Sequence, residues 1–227
     1  MRNFFKNIFK KKKPDSEWMI LEFLKEELPE NPIIIEAGSH EGHDTIRMAS
    51  LWPKGKIFAF EPIPEIITVL QSKVRAFKNV SVVEVALSDE NNQSNMYVST
   101  GRSNGSSSLL KPKEHIEIHP DVFFVNQISV QTILLKDFLN GNRIDHVDFM
   151  WLDLQGMEYK VLSASSDILG AVNYIFCEVS LIETYEEVMK YPEFKLWMKK
   201  NGFEVVEEYL NWKDMGNVLF KNRNYLA

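Results

Sequence analysis

The side chains of this chain whose type and placement suit chemistry are acids at the ends of apolar runs: Glu36, Glu61, Asp153 and Glu178. Glu36 follows Ile33-Ile34-Ile35 and leads into Ala37-Gly38-Ser39-His40-Glu41-Gly42-His43-Asp44-Thr45. An unbroken β-branched run reads as a strand covered on both faces of a parallel sheet. Asp44 and Thr45 open a helical pattern (Ile46, Met48, Ala49), where an acid satisfies orphan backbone N–H groups. A strand, a glycine turn and a helix place a ligand at the carboxyl end of the strand. A pyrophosphate-binding turn wants G-x-G-x-x-G. Here the glycines are Gly38 and Gly42, the third is missing, and Glu36 and Glu41 would repel phosphate. The charge suits a nucleoside with an ammonium group, a cationic sulfur and no phosphate, which describes S-adenosylmethionine. An ordinary strand-to-helix turn with solvated acids is the competing reading.

Glu61 ends the next apolar run, Ile57-Phe58-Ala59-Phe60, and precedes Pro62. An acid there, about twenty residues past the glycine turn, is where a ribose diol is gripped, for NAD and S-adenosylmethionine alike. A helix-capping acid is the alternative. Ala86 and Leu87 end a third strand over Val80 to Val85 and suit either an adenine slot or a plain strand terminus. Asp153 closes the buried run Val147 to Leu152 and faces the same crevice, and Leu154-Gln155-Gly156 follows it. Glu178 sits near the end of Val172 to Val179, where a carboxylate is partnered, at the crevice, or costly.

The elements that must position these acids follow from periodicity. Helices are predicted from about Glu17 to Leu28 (face Trp18, Leu21, Leu24, Leu28), over Ile63 to Ala76, from a Thr132 cap to Leu139, over Met157 to Leu162 and over Tyr191 to Lys200. Further strands are predicted at Gln127 to Thr132, Gly202 to Tyr209 and Gly216 to Lys221, the last two as a hairpin, with a short edge strand at Met96 to Val98. Ser99 to Ser108 reads as a mobile loop, and Leu109 to Phe124 as irregular chain with surface histidines His115 and His119. The alternation of strand and helix makes this an α/β chain with one domain over residues 14–227 and no internal repeat.

Composition bounds the rest. The 227 residues are 44% hydrophobic, enough for a full core, and the net charge of −6 with no basic face in the body argues against nucleic-acid binding. The single cysteine, Cys177, lies in an apolar run and reads as a buried small hydrophobe in a reducing, cytoplasmic setting. No apolar run is long enough to span a bilayer. Met1 to Lys13 (M-R-N-F-F-K-N-I-F-K-K-K-K) differs from all that follows, with Phe4, Phe5, Ile8 and Phe9 at helical spacing among basic residues. It is either an interfacial helix in peripheral contact with anionic membrane or a solvated basic tail. Liposome binding by a chain lacking Met1 to Lys13 separates the two.

The pieces E-A-G-S-H-E-G-H-D-T, F-A-F-E-P, A-L-S-D, S-S-S-L-L, D-F-M-W-L-D-L-Q-G-M-E-Y-K-V-L and G-N-V-L-F together resemble the FkbM family of S-adenosylmethionine-dependent methyltransferases, over roughly Ile33 to Lys221. Asp153-Leu-Gln-Gly-Met-Glu158 is the most specific piece. The chain departs from the family's frequent Asp before Gly-Ala-Asn, carrying Glu36 and Gly38-Ser39-His40 instead. The resemblance implies the Rossmann-like class I methyltransferase fold, a seven-stranded, mostly parallel, doubly wound sheet with the last strand antiparallel. It also implies transfer to a sugar hydroxyl of a glycan, polysaccharide or glycosylated metabolite.

By that resemblance Glu36 and Gly38 lie at the methionine end, with Ala37, Ser39, Gly42 and Thr45 around them. Glu61 and Pro62 lie at the ribose, Ala86 and Leu87 by the adenine, and Asp153 with Leu154 near the methyl group. A sugar hydroxyl needs its proton removed as the new bond forms. Asp153 is the first candidate for that base or for orienting the acceptor, followed by Glu178 and His40, while Asp153 holding the cofactor amino group is the alternative. No metal ligand set is evident. Competing classes are an NAD-dependent oxidoreductase, separable by NADH binding, and a base N-methyltransferase, which would carry Asn-Pro-Pro-Tyr. A methyltransferase of a non-sugar small molecule and a non-catalytic glycan- or lipid-surface module complete the alternatives.

Overall fold

The computed structural model describes residues 16–225, so the basic segment Met1 to Lys13 and its membrane reading lie outside the described residues. The described chain runs α1 (Ser16–Glu27), β1 (Ile33–Ala37), α2 (His43–Leu51), β2 (Lys56–Phe60), α3 (Pro64–Val74), β3 (Val80–Val83), β4 (Ala86–Ser88) and β5 (Gln93–Gly101). It continues through a one-turn α4 (His115–Ile118), β6 (Val122–Leu134), α5 (Leu135–Gly141), β7 (Val147–Leu152), α6 (Glu158–Ala164) and a 3-10 turn (Ser166–Ala171). The last elements are β8 (Val172–Ser180), α7 (Tyr191–Lys200), β9 (Phe203–Tyr209) and β10 (Met215–Asn222).

Seven strands form one sheet in the order β3-β2-β1-β7-β8-β10-β9. β1, β2, β3, β7 and β8 are mutually parallel, and β10 runs antiparallel to both β8 and β9. This is the expected doubly wound sheet with an antiparallel last strand. Period-two alternation distributes each strand between two cores. Ile34, Phe149, Trp151, Tyr174 and Phe176 join Met19, Ile20, Leu24 of α1 and Met48 of α2 on one face. Ile35, Met150, Leu152, Ile175 and Cys177 join Leu135 and Phe138 of α5, Val161 of α6 and Met198 of α7 on the other. Each fully buried large side chain contributes about 1.5–3 kcal/mol, so β7, buried along its whole length, is a firm support for Asp153 at its end. At its start the buried Asp148 accepts the Ile33 N–H at 2.7 Å and ties β1 to β7.

Leu21, Leu24 and Leu28 of the predicted α1 face are buried, and the buried face extends to Met19, Ile20 and Phe23, while Trp18 is 40% exposed. Phe23 packs edge-on against Tyr174, whose hydroxyl donates to Glu27 at 2.7 Å.

The largest departure lies between β3 and α5. A second, three-stranded sheet, β4-β6-β5, occupies that stretch, with β5 antiparallel and β4 parallel to β6. The short strand predicted at Met96 to Val98 extends to Gln93–Gly101 as β5; its polar ends, Gln93, Ser94, Asn95 and Ser99, join because β6 supplies their ladder partners. Ser99 to Ser108 is correspondingly tied down. Tyr97 and Ser108 exchange backbone hydrogen bonds, Ser99 N–H donates to Ser107 Oγ at 3.0 Å, and Ser106 N–H donates to Ser99 Oγ at 3.0 Å.

Two local expectations fail for the same reason, a tertiary partner. Thr132 does not cap α5. Its hydroxyl accepts the Asn92 N–H and turns to the Glu90 and Asn92 carbonyls, and Ser165 Oγ takes the Lys136 N–H instead. His115 is no surface residue: it is 2% exposed, packed on Phe124, Tyr185 and His119. His119 is half-buried and lies 2.7 Å from Asp214 Oδ2.

Candidate active site

The carboxyl ends of β1, β2 and β7 open into a cavity of about 210 Å³. Its walls include Glu36, Asp44, Glu61 and Asp153, and no lysine or arginine among the described residues. The opposite wall is apolar, with Ile63, Ile66, Ala86, Leu87, Met96 and Leu109. Most of these belong to one buried cluster beneath the second sheet.

The turn after β1 is built for close approach. Gly38 has φ +84°, and a Cβ there would lie 1.9 Å from the Asp153 carbonyl oxygen. Only glycine lets β1 and β7 end side by side, with Asp153 N–H donating to the Ala37 carbonyl at 2.9 Å. Gly38 and Ser39 N–H both donate to the Phe60 carbonyl. Glu36 is 2% exposed and accepts the Thr45 hydroxyl at 2.5 Å. Burial, helped by the Asp44 charge, raises it to about 8 against the pull of Thr45. Glu61 accepts the His40 N–H at 3.0 Å and the Ile63 N–H at 2.9 Å, which fixes its carboxyl at the cavity wall. Burial holds it at about 7.

The second half of the site hangs on β7. Asp153 lies deep in the crevice yet is open to the cavity. The protein around it, and the Asp44 charge, raise its carboxyl above the usual range, while a hydrogen bond from Gln155 pulls it down. The loop after it is folded by Glu158, a residue that sequence reasoning quoted without giving it a role. Glu158 accepts the Leu154 N–H at 2.8 Å and the Gly156 N–H at 3.0 Å. It is 5% exposed and raised by burial to about 8. Gln155 takes φ +51° inside this loop. An acid at the first position of the following helix, returning to the backbone of the preceding loop, is the signal that could have found it.

The structure brings most of the predicted residues together. Glu36, Gly38, Ser39, His40, Glu61, Pro62, Ala86, Leu87, Asp153 and Leu154 all line the cavity. Ala37, Gly42, Thr45 and Glu178 do not. Ala37 is core, packed with the α5–α7 face. Gly42 stands at φ +82° as the N-cap of α2, and a Cβ there would meet the Leu70 side chain at 2.5 Å. Thr45 acts on Glu36 from behind, and Glu178 is held behind Gln155, whose Nε2 donates to it at 2.9 Å. His40 lines the cavity with Nε2 buried and unpartnered, and burial lowers its pKa, so the neutral ring prevails. Sequence reasoning missed His43, Asp44, Met96, Asn104, Gly105, Ser107 and Trp151 as wall residues. Three of these come from the serine-rich loop, whose position depends on the unforeseen second sheet. Among the described residues, no group of three or more His, Cys, Asp or Glu side chains converges to hold a metal ion.

The buried acids make stability depend on pH. Glu36 and Glu158 have folded values near 8 against an unfolded value near 4.5. The folded state therefore binds more protons between those limits, and the associated stability is complete below about 4.5 and lost as pH rises through about 8. The unliganded protein is expected to lose several degrees in Tm between pH 6 and 9. A scan of thermal unfolding against pH that stays flat there would show both acids ionised in the fold.

The lining fits S-adenosylmethionine: among the described residues it offers four acids, no lysine or arginine and an apolar wall, the chemistry that an ammonium, a sulfonium and an adenine call for. The comparisons agree. The Methyltransferase FkbM domain model matches residues 36–205. The chain is 29% identical over 197 residues to the 2-O-methyltransferase NoeI of Sinorhizobium fredii (strain NBRC 101917 / NGR234), covering 85% of this chain and 80% of that protein. It is 22% identical over 209 residues to methyltransferase sdnD of Sordaria araneosa, covering 82% and 78%. Among solved structures, an rRNA methylase from Streptococcus thermophilus aligns with TM-score 0.53 at 14% identity, covering 93% of this chain and 99% of that one. Aeropyrum pernix fibrillarin with natively bound S-adenosyl-L-methionine aligns with TM-score 0.50 at 15% identity, covering 89% and 74%. These two share the fold. With a family model spanning most of its length over an acid-walled cavity, the chain belongs to the FkbM family of methyltransferases and uses S-adenosylmethionine as its methyl donor.

Proposed function

We propose that residues 14–227 act as one methyltransferase domain that methylates a sugar hydroxyl of a glycan, polysaccharide or glycosylated metabolite. The observation that carries this is Asp153, an exposed carboxylate among the acids that line the cavity. Hydroxyl transfer needs one base near the reacting oxygen, and Asp153 is the acid in the right place to supply it. The printed name of the relative NoeI, a 2-O-methyltransferase, supports oxygen as the acceptor atom. The acidic walls and the net charge of −6 disfavour a nucleic acid.

S-adenosylmethionine supplies an electrophilic methyl group on a sulfonium. Glu36 and Asp44 face the end of the cavity where an ammonium group is best neutralised. Glu61, oriented by two backbone N–H groups, presents its remaining lone pairs to a ribose diol. Ala86, Leu87, Ile63 and Met96 exclude water around a purine. Asp153 takes the proton of the acceptor hydroxyl, and its raised affinity for protons makes it a better base than a solvated aspartate. The basic segment Met1 to Lys13 would bring this cytoplasmic enzyme to an anionic membrane surface in peripheral contact.

Calorimetric titration with S-adenosylhomocysteine, NADH in parallel, tests the reading. Micromolar binding of the first and none of the second is expected, with affinity rising about tenfold between pH 6 and 8 as Glu61 and Glu36 ionise. A screen of deoxysugar glycans follows, read as acceptor methylation. Binding of neither nucleoside would overturn the enzyme reading in favour of a surface-binding module.

A further inference from the structure

One buried side chain in the site has no part in the chemistry so far. Gln155 is 6% exposed and held in the left-handed region at φ +51°. Its Nε2 donates to Asp153 Oδ1 at 2.7 Å and to Glu178 Oε2 at 2.9 Å. On its other side, the Tyr185 hydroxyl lies 3.0 Å from Oε1 and also 2.8 Å from the Ser106 carbonyl. Two carboxylates on one side and a hydroxyl on the other leave a single amide orientation, N–H₂ toward the acids. The backbone carbonyl of Gln155 accepts the Ser108 hydroxyl at 2.8 Å. The same residue thus touches both acids and, through Tyr185 and Ser108, the serine loop that walls the cavity.

From this geometry we propose that Gln155 is the positioning residue that decides which acid works, clamping Glu178 out of the cavity and turning one oxygen of Asp153 toward the acceptor. This rests on the methyl-transfer reading and extends it to a residue outside the cavity wall. The Gln155 amide bridges Asp153 and Glu178; without it they would repel each other or share a proton, as close carboxylates do. A glutamine is the neutral group that gives each acid its own N–H. The strained backbone is paid for by Glu158, whose two hydrogen bonds hold the loop on either side of it. Other groups bear on the pair from each neighbouring element: Asp44 from α2, Cys177 beside Glu178 on β8, Glu158 from α6, Asp214 from the β9–β10 turn and the Tyr185 hydroxyl. All are acidic or neutral, and among the described residues the Gln155 amide is the donor that favours ionised Asp153.

The test is direct titration of Asp153 in the full chain by side-chain carboxyl carbon NMR, with Asp153→Asn assigning the signal. S-adenosylhomocysteine titration is run on every variant. In Gln155→Leu the Asp153 midpoint is expected to rise by about one pH unit, the loss of one hydrogen bond to a charge. Gln155→Glu, which sets a third acid between the two, is expected to raise it further. Tyr185→Phe keeps the buried ring, frees the amide to rotate, and gives a smaller rise in the same direction. It decides the matter if the Gln155 variants do not fold. A midpoint unmoved in all folded variants would overturn the proposal, leaving Gln155 as packing alone. The functional reading fails separately, on wild-type protein that binds no S-adenosylhomocysteine.

Discussion

Gly38→Ala is expected to eliminate cofactor binding and methyl transfer together. The new Cβ would sit 1.9 Å from the Asp153 carbonyl oxygen, a backbone atom at the end of a fully buried strand. Neither partner can yield cheaply. β1 is locked to β7 by the Ala37–Asp153 hydrogen bond and to β2 by the Gly38 and Ser39 N–H groups on Phe60. The φ of +84° adds about 1–3 kcal/mol of backbone strain for a residue with a side chain. Relief requires β1 and β7 to part where Glu36 and Asp153 must converge, and displacements near 1 Å in a site of this kind cost about 100-fold. S-adenosylhomocysteine affinity should fall at least that far, with the urea midpoint clearly lowered. Gly42→Ala is the control. Its Cβ meets side chains and no backbone, with the Leu70 methyl nearest at 2.5 Å, and Gly42 does not line the cavity. That variant should lose about 1–2 kcal/mol of stability from its φ of +82° and still bind. Wild-type affinity in Gly38→Ala would refute the close-approach argument.

Asp153→Asn is the second large effect, expected in rate rather than in affinity. The asparagine oxygen can still accept from Gln155 Nε2, so the loop and Glu178 stay in place. Replacing one of two closely placed acids also removes repulsion, and the variant should be at least as stable as wild type above pH 7. Loss of a general base lowers turnover by about 10²–10⁴. The measurement is single-turnover methyl transfer, with S-adenosylhomocysteine binding measured alongside. Full transfer by Asp153→Asn would remove it as the base. A loss confined to binding would assign it to the cofactor amino group instead.

Much of this protein was legible in its residues. The sheet, its parallel core and antiparallel end follow from apolar runs of strand length alternating with helical periods, because burial on two faces leaves a plain mark on composition. Glu36, Gly38, Glu61 and Asp153 were equally readable, since ligands in such sheets collect at the carboxyl ends of strands and those ends are visible in the chain. Glu178 misled for an instructive reason. The period of two places it near the crevice, but Gln155 stands between it and the cavity, and nothing in either local sequence announces a partner 23 positions away. The same holds for Thr45 and Gly42, which support the site from behind it.

Only the tertiary structure decided the second sheet. Met96 to Val98 and Gln127 to Thr132 read as short strands in the sequence, but their extension to Gln93–Gly101 and Val122–Leu134 and their pairing into a separate sheet depend on each other. That pairing carries Asn104, Gly105 and Ser107 to the cavity mouth, buries His115, and sets Tyr185 against Gln155. The sequence by itself determined where the acids stand. Long-range hydrogen bonds and packing, which leave no local pattern, decided which of them face the cavity.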